Sequence, residues 1–286
     1  MESNTATVAV SAKWGINHRQ KVLLAIAAGL LILTAITLGG ILMDPVSYGP
    51  NYALKRLAPS GEHLFGTDYL GRDMFFRTVA GLSMSIRIGL LAATVSSVIA
   101  LVLGSLSAVF GGKVDAVVNW LVDLCMGIPH MILLILISIS LGGGAVGVIA
   151  GVAVTHWPGL TRVIRAEVMQ VRSAHYVQVA RKMGKSPWYV AGRHIIPHVF
   201  PQYAVGLILL FPHAILHEAG ITFLGYGLPL DVPAVGIILS ESMKHLATGM
   251  WWLAFFPGLA LLLVVMLFDL VGDYLKALID PYSAHE

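Results

Sequence analysis

From Leu124 to Thr161 the chain runs for 38 positions without an Asp, Glu, Lys or Arg. An ordinary soluble domain is about one quarter charged residues, which cover its core with polar surface. Here only 12% of 286 residues are charged, 57% are hydrophobic, and the mean hydropathy is +0.82. Lipid must therefore cover part of the apolar surface. A spanning helix needs about 20 apolar residues, because the hydrocarbon core is about 30 Å thick and each residue rises about 1.5 Å. The uncharged run is too long for one such helix, and Gly142-Gly143-Gly144 divides it into spans near 118–141 and 145–161. Residues 22–43 and 88–112 also lack charge and supply two more spans, and 194–217 and 245–268 complete the set. The expectation is an all-α integral membrane protein with six transmembrane helices.

Positive charge orients these spans. Between 162 and 193 stand Arg162, Arg165, Arg172, Arg181, Lys182, Lys185 and Arg193 against the single acid Glu167. Cytoplasmic loops carry that kind of Lys/Arg excess. With six spans, the N-terminal segment 1–21, bearing Lys13, Arg19 and Lys21, falls on the same side, as does the tail 273–286. The 44–85 loop balances Lys55, Arg56, Arg72 and Arg77 with Asp44, Glu62, Asp68 and Asp73, as expected outside. Residues 22–272 form one membrane domain with no internal repeat or second soluble unit. The apolar run after Lys21 is longer than a signal-peptide core and has no small-x-small cleavage site behind it, so it reads as an anchor. Cys125 is the one cysteine, which excludes an internal disulfide and reads as a buried, unreactive thiol.

The basic loop has internal order. Ser173 is placed to cap a short helix in which Tyr176, Val177, Ala180 and Met183 share a side. Gly184 stands where helices end in a left-handed residue, and Ser186-Pro187 starts another helix. This helix–turn–helix has an apolar face, to be covered either by the protein's own helices or by a partner. Gly184-Lys185-Ser186 is not a phosphate-binding loop, because Val179 occupies the position of its first glycine. His217-Glu218 opens like a zinc-protease motif, but Ile221 replaces the second histidine. His194 and His198, separated by Pro197, read as structural.

The stretch from Tyr176 through Gln178, Val179 and Ala180 to Gly184, followed by Arg193-His194-Ile195-Ile196-Pro197, resembles the EAA loop of ABC-importer permeases. Gln178-Val179-Ala180 departs from that loop's Glu-Ala-Ala. Further segments resemble the dipeptide/oligopeptide/nickel branch: His63-Leu64-Phe65-Gly66-Thr67-Asp68 with Gly71-Arg72-Asp73; Phe110-Gly111-Gly112-Lys113-Val114-Asp115; Phe223-Leu224-Gly225-Tyr226-Gly227; Phe256-Pro257-Gly258; and Leu270-Val271-Gly272-Asp273 with Asp280-Pro281. Within it the chain resembles the C-type permease. The resemblance implies a non-catalytic subunit of a multi-pass importer in the bacterial inner membrane, both termini cytoplasmic. It also implies a heterodimer with a B-type permease, two ATPases carrying ATP and magnesium, and an extracellular or periplasmic binding protein. No cofactor or nucleic acid is expected on this chain. Tyr176, Val177, Gln178, Ala180, Met183, Gly184 and Lys185 are the expected ATPase-coupling residues.

His156, His213, His217 and Glu218 form the other candidate set. His213 and His217 are four apart and share a helical face. Ionisable groups inside spans usually face protein interior or an aqueous path, and imidazole suits nickel, zinc and copper. Either these histidines bond neighbouring helices or they contact a passing metal. Thr155-His156-Trp157 and the His-x-x-x-His-x-Ala-Gly run resemble nickel-type permeases, which directs expectation to nickel or another divalent metal, free or chelated. Di- and oligopeptides are the alternative cargo. A secondary transporter is the alternative class, but only Glu218, Asp123 and Asp269 resemble coupling carboxylates.

Overall fold

The computed structural model describes residues 18–279, so the segment 1–17 and the tail from Asp280 lie outside the described residues. Ten α-helices follow in order: α1 His18–Leu42, α2 Met74–Phe110, α3 Gly112–Gly127, α4 His130–Ser140, α5 Gly144–Ser173, α6 His175–Lys182, α7 Pro187–Val190, α8 Ile196–Phe223, α9 Val235–Met243 and α10 Trp252–Ile279. Among the described residues no strand forms, only an isolated bridge between Thr67 and Asp73. The chain is an all-α membrane protein. Among the described residues five helices are long and apolar enough to cross a membrane, or six spans if α3 and α4 count together.

The span expected at 118–141 is not one helix. α3 and α4 meet at 97° across Ile128-Pro129. Proline drives the preceding residue out of the helical region, and Ile128 is extended at φ −96°, ψ 137°. The triple glycine breaks the chain as expected, with Gly142, Gly143 and Gly144 all at positive φ.

Other boundaries move for identifiable reasons. α2 begins at Met74 rather than near 88, because Asp73 caps it by accepting from the backbone N–H groups of Phe75 (2.8 Å) and Phe76 (3.3 Å). α5 passes through Pro158 and continues to Ser173, beyond the expected end at 161. α8 is entered through α7 and a π-turn over Ala191–Ile195. The last span starts at Trp252 instead of 245, and the short α9 before it was not expected.

α2 is the axis of the bundle, touching α1, α5, α8, α9 and α10. Small residues bring it close to its neighbours, as helices in lipid require. A Cβ at Gly104 would lie 3.0 Å from Ile164 and from the Thr161 carbonyl of α5, and one at Gly40 would lie 2.3 Å from Ser83 Cβ. One apolar core gathers Leu134, Val148, Phe211, Ile215 and Ile237; a second, toward the basic loop, gathers Trp157, Ile164, Val168, Val177, Val190 and Val199.

Candidate functional site

Three constellations stand out along the bundle. The 44–73 connection is fastened by a network of four charges. Asp68 meets Arg72 Nε and Arg77, and Glu241 Oε2 accepts from Arg72 (2.8 Å) and Arg77 (2.7 Å). Burial alone would lower the Arg72 pKa, but the Asp68 and Glu241 carboxylates outweigh it and raise the value. His63 Nδ1 lies 2.8 Å from Asp73 Oδ2, Trp252 Nε1 donates to the Thr67 carbonyl (3.2 Å), and Phe65 stacks on Phe256 at 4.5 Å. The His63–Asp73 motif is thus a clasp over the start of α2 and α10. Sequence reasoning did not single out Glu241, which lies far along the chain on the unexpected α9.

At the opposite end, the loop of α6 and α7 is built as expected except at its start. Ser173 does not cap α6; its hydroxyl donates back to the Gln170 carbonyl (2.7 Å), and Ala174 holds the cap position without a side-chain bond. Gln178 Nε2 instead donates to the Ser173 carbonyl at 2.9 Å. Gly184 has φ 78°, and the bonds Gly184 N–H to Arg181 O and Lys185 N–H to Ala180 O close the Schellman pattern. Ser186 accepts from the Tyr189 N–H at 3.2 Å, with Pro187 in the first turn of α7.

The apolar residues of this loop divide between two faces. Val177 is 0% exposed and joins the second core with Ala180, Val190 and Ile195. Tyr176, Val179, Met183 (73% exposed) and Trp188 (70%) point outward. Lys185 stands over the Tyr189 ring at 5.0 Å, and His194 packs against Tyr176 and Tyr189, a structural place as expected. Farther up, Asp115 pairs with both Nε (2.6 Å) and Nη2 (2.7 Å) of Arg165, and Arg172 donates to the Ala108 carbonyl (2.7 Å). The Phe110–Asp115 turn thereby ties α3 to α5.

The third constellation lies mid-bundle. His156 of α5 and His217 of α8 come together, ring centroids 4.9 Å apart, but their third member is His130 at the head of α4. His130 is 4.6 Å from His156 and 4.5 Å from His217, and one ligating atom from each ring lies within 4.8 Å of the others. His213 is exposed and outside this group. Glu218 is also outside it: fully buried, it accepts from Thr222 at 3.1 Å beside Ser85, while its Oε2 has no partner among the described residues. His130 escaped the sequence reading because only the kink at Pro129 brings it to helices α5 and α8. A histidine beside a proline inside an apolar run was the available signal.

The comparisons with known proteins agree on what this architecture is. Residues 100–282 match the model of the binding-protein-dependent transport system inner membrane component. A dipeptide transport system permease protein of Bacillus subtilis is 29% identical over 253 residues, covering 88% of this chain and 79% of that one. An oligopeptide transport system permease protein of the same organism is 32% identical over 258 residues, covering 88% and 84%. The fold is also that of a chain of the MetNI methionine ABC transporter in an inward-facing conformation, with TM-score 0.60 at 19% identity, covering 72% of this chain and 98% of that one. The chain belongs to the family of inner membrane components of binding-protein-dependent ABC transport systems.

Proposed function

We propose that this chain is the C-type half of the translocation pathway of an importer for di- or oligopeptides. It works beside a B-type permease in the bacterial inner membrane, with both termini cytoplasmic. Two ATPases supply ATP and magnesium, and an extracellular or periplasmic binding protein delivers cargo. The cargo follows from the peptide-transport names of the relatives, and it displaces nickel, to which the histidine spacing pointed, as the main reading. The single observation that carries the mechanism is the two-faced loop at His175–Val190. Its inner face, Val177 and Val190, is locked into the bundle, while Tyr176, Val179, Met183 and Trp188 leave an apolar stripe outside. Exposed apolar stripes of this kind mark docking surfaces. Movement of an ATPase seated on that stripe is transmitted to α5 and α8 through packing that has no slack. The described helices extend the membrane domain past the 22–272 read from the sequence, with α1 starting at His18 and α10 ending at Ile279.

Nickel or a metal chelate is kept as a second cargo because three imidazoles meet inside the bundle. Reconstitution of the full complex in liposomes with labelled dipeptides and with radioactive nickel separates the two. ATP-dependent dipeptide accumulation without nickel accumulation is expected, and the reverse would overturn the peptide reading. The isolated chain is expected to show no saturable nucleotide binding.

A further inference from the structure

We infer that His130, His156 and His217 are a binding site for a borderline transition-metal dication of the nickel and zinc class, whatever cargo the pathway carries. The donor set makes the argument. Val152 O, a carbonyl that only accepts, lies 2.9 Å from His156 Nδ1. That contact places the proton on Nδ1 and leaves Nε2 as a bare lone pair, the orientation by backbone carbonyl that metal-ligating histidines ordinarily show. His156 Nε2 and His130 Nε2 are both buried without a hydrogen-bond partner among the described residues. A buried nitrogen with no partner is costly in lipid surroundings, and a cation shared among three rings satisfies them together. Met131 Sδ lies 3.1 Å from His217 Nδ1 and holds the third ring at the group.

Scale and chemistry agree. Metal–imidazole bonds of about 2.0–2.1 Å set ligand nitrogens about 3.4 Å apart in a tetrahedral site. The three atoms here lie within 4.8 Å of one another, so closure needs movements of about 1 Å, within reach of side-chain rotation. Among the described residues no carboxylate belongs to the group, and Glu218 turns to Thr222. Neutral imidazoles beside a thioether favour nickel, zinc or copper over magnesium and calcium. An access route exists, because His130 and Thr155 line an open cavity of about 470 Å³ with Cys125, Gly127, Pro158 and Gly159. Since the ligands come from α4, α5 and α8, a bound ion draws those helices together at the Pro129 kink.

The test uses the assembled importer, purified without a histidine tag, in lipid nanodiscs. Cobalt(II) serves as the optical probe, with nickel and zinc as competitors. One saturable equivalent per chain with nitrogen-ligand visible bands is expected. His156→Gln and His130→Gln should each weaken it at least about tenfold, while His213→Gln and His245→Gln, the latter on a ring stacked against Tyr69, leave it unchanged. On the same samples size-exclusion profile and basal ATPase report assembly, and dipeptide stimulation of that ATPase reports cargo, so a wrong peptide reading does not touch the metal result. No saturable cobalt binding, or equal binding by the wild type and by both His156→Gln and His130→Gln with assembly preserved, overturns the assignment.

Discussion

Arg77 Nη2 of α2 lies 2.7 Å from Glu241 Oε2 of α9, a pair drawn from positions 164 residues apart. Arg77 is buried, and Asp68 and Glu241 face its two sides. Removing one partner from a buried ion pair leaves an uncompensated charge and costs about 3–5 kcal/mol, more than the pair contributes over an apolar replacement. Glu241→Ala should therefore lower the thermal midpoint of the purified complex markedly. Glu241→Gln, which keeps one acceptor for Arg77, should lower it less. An Ala variant as stable as wild type would show that the network is ornamental.

Gly71 tests the same end of the bundle through shape instead of charge. Its φ is 77°, and a Cβ there would fall 1.7 Å from the Asn51 carbonyl oxygen. Backbone cannot retreat as a flexible side chain can, so Gly71→Ala should open the 44–73 connection to protease. Gly61 has nothing within 4 Å of an added Cβ and a φ outside the left-handed region. Gly61→Ala should digest like wild type, and equal digestion of the two variants would refute the argument.

Gly184 presents backbone strain without a steric clash. Nothing lies within 4 Å of an added Cβ, but its φ of 78° costs an L-residue roughly 1–2 kcal/mol. Gly184→Val should misplace α7 and reduce both ATPase co-purification and peptide uptake. Gly184→Asn should recover much of both, because asparagine tolerates the left-handed region. Were Asn no better than Val, the conformation would not be the cause.

The two faces of α6 predict opposite phenotypes. Val177→Asp places a charge in a fully buried site and should abolish accumulation of folded protein. Met183→Asp, on a residue 73% exposed, should leave the bundle intact but release the ATPases. Size-exclusion profiles of the permease pair, followed by ATPase pull-down, read the two effects separately. ATPase retention by Met183→Asp would move the docking surface elsewhere.

What the sequence by itself determined here follows from local chemistry. Uncharged runs, the triple glycine at 142–144 and the Ser186-Pro187 start each act through a few neighbouring residues, and so could be read along the chain. The left-handed Gly184 belongs to the same class. Tertiary structure decided what depended on distant partners. A window that stops at charges ends at Arg87 and places the start of α2 too late, yet Arg87 lies inside the helix with its Nε donating to the Ser83 carbonyl (3.2 Å), and Arg77 before it is neutralised by Asp68 and Glu241. Val177 and Met183 look alike in a helical pattern, and only packing against Val190 and Ile195 separates inner from outer. His213 and His217 share a face by spacing, yet the bundle selects His217 and joins it to His156 and His130. That last choice rests on the 97° bend at Ile128-Pro129. A proline marks the possibility of a kink, but the packing of α4 against α5 and α8 sets its direction.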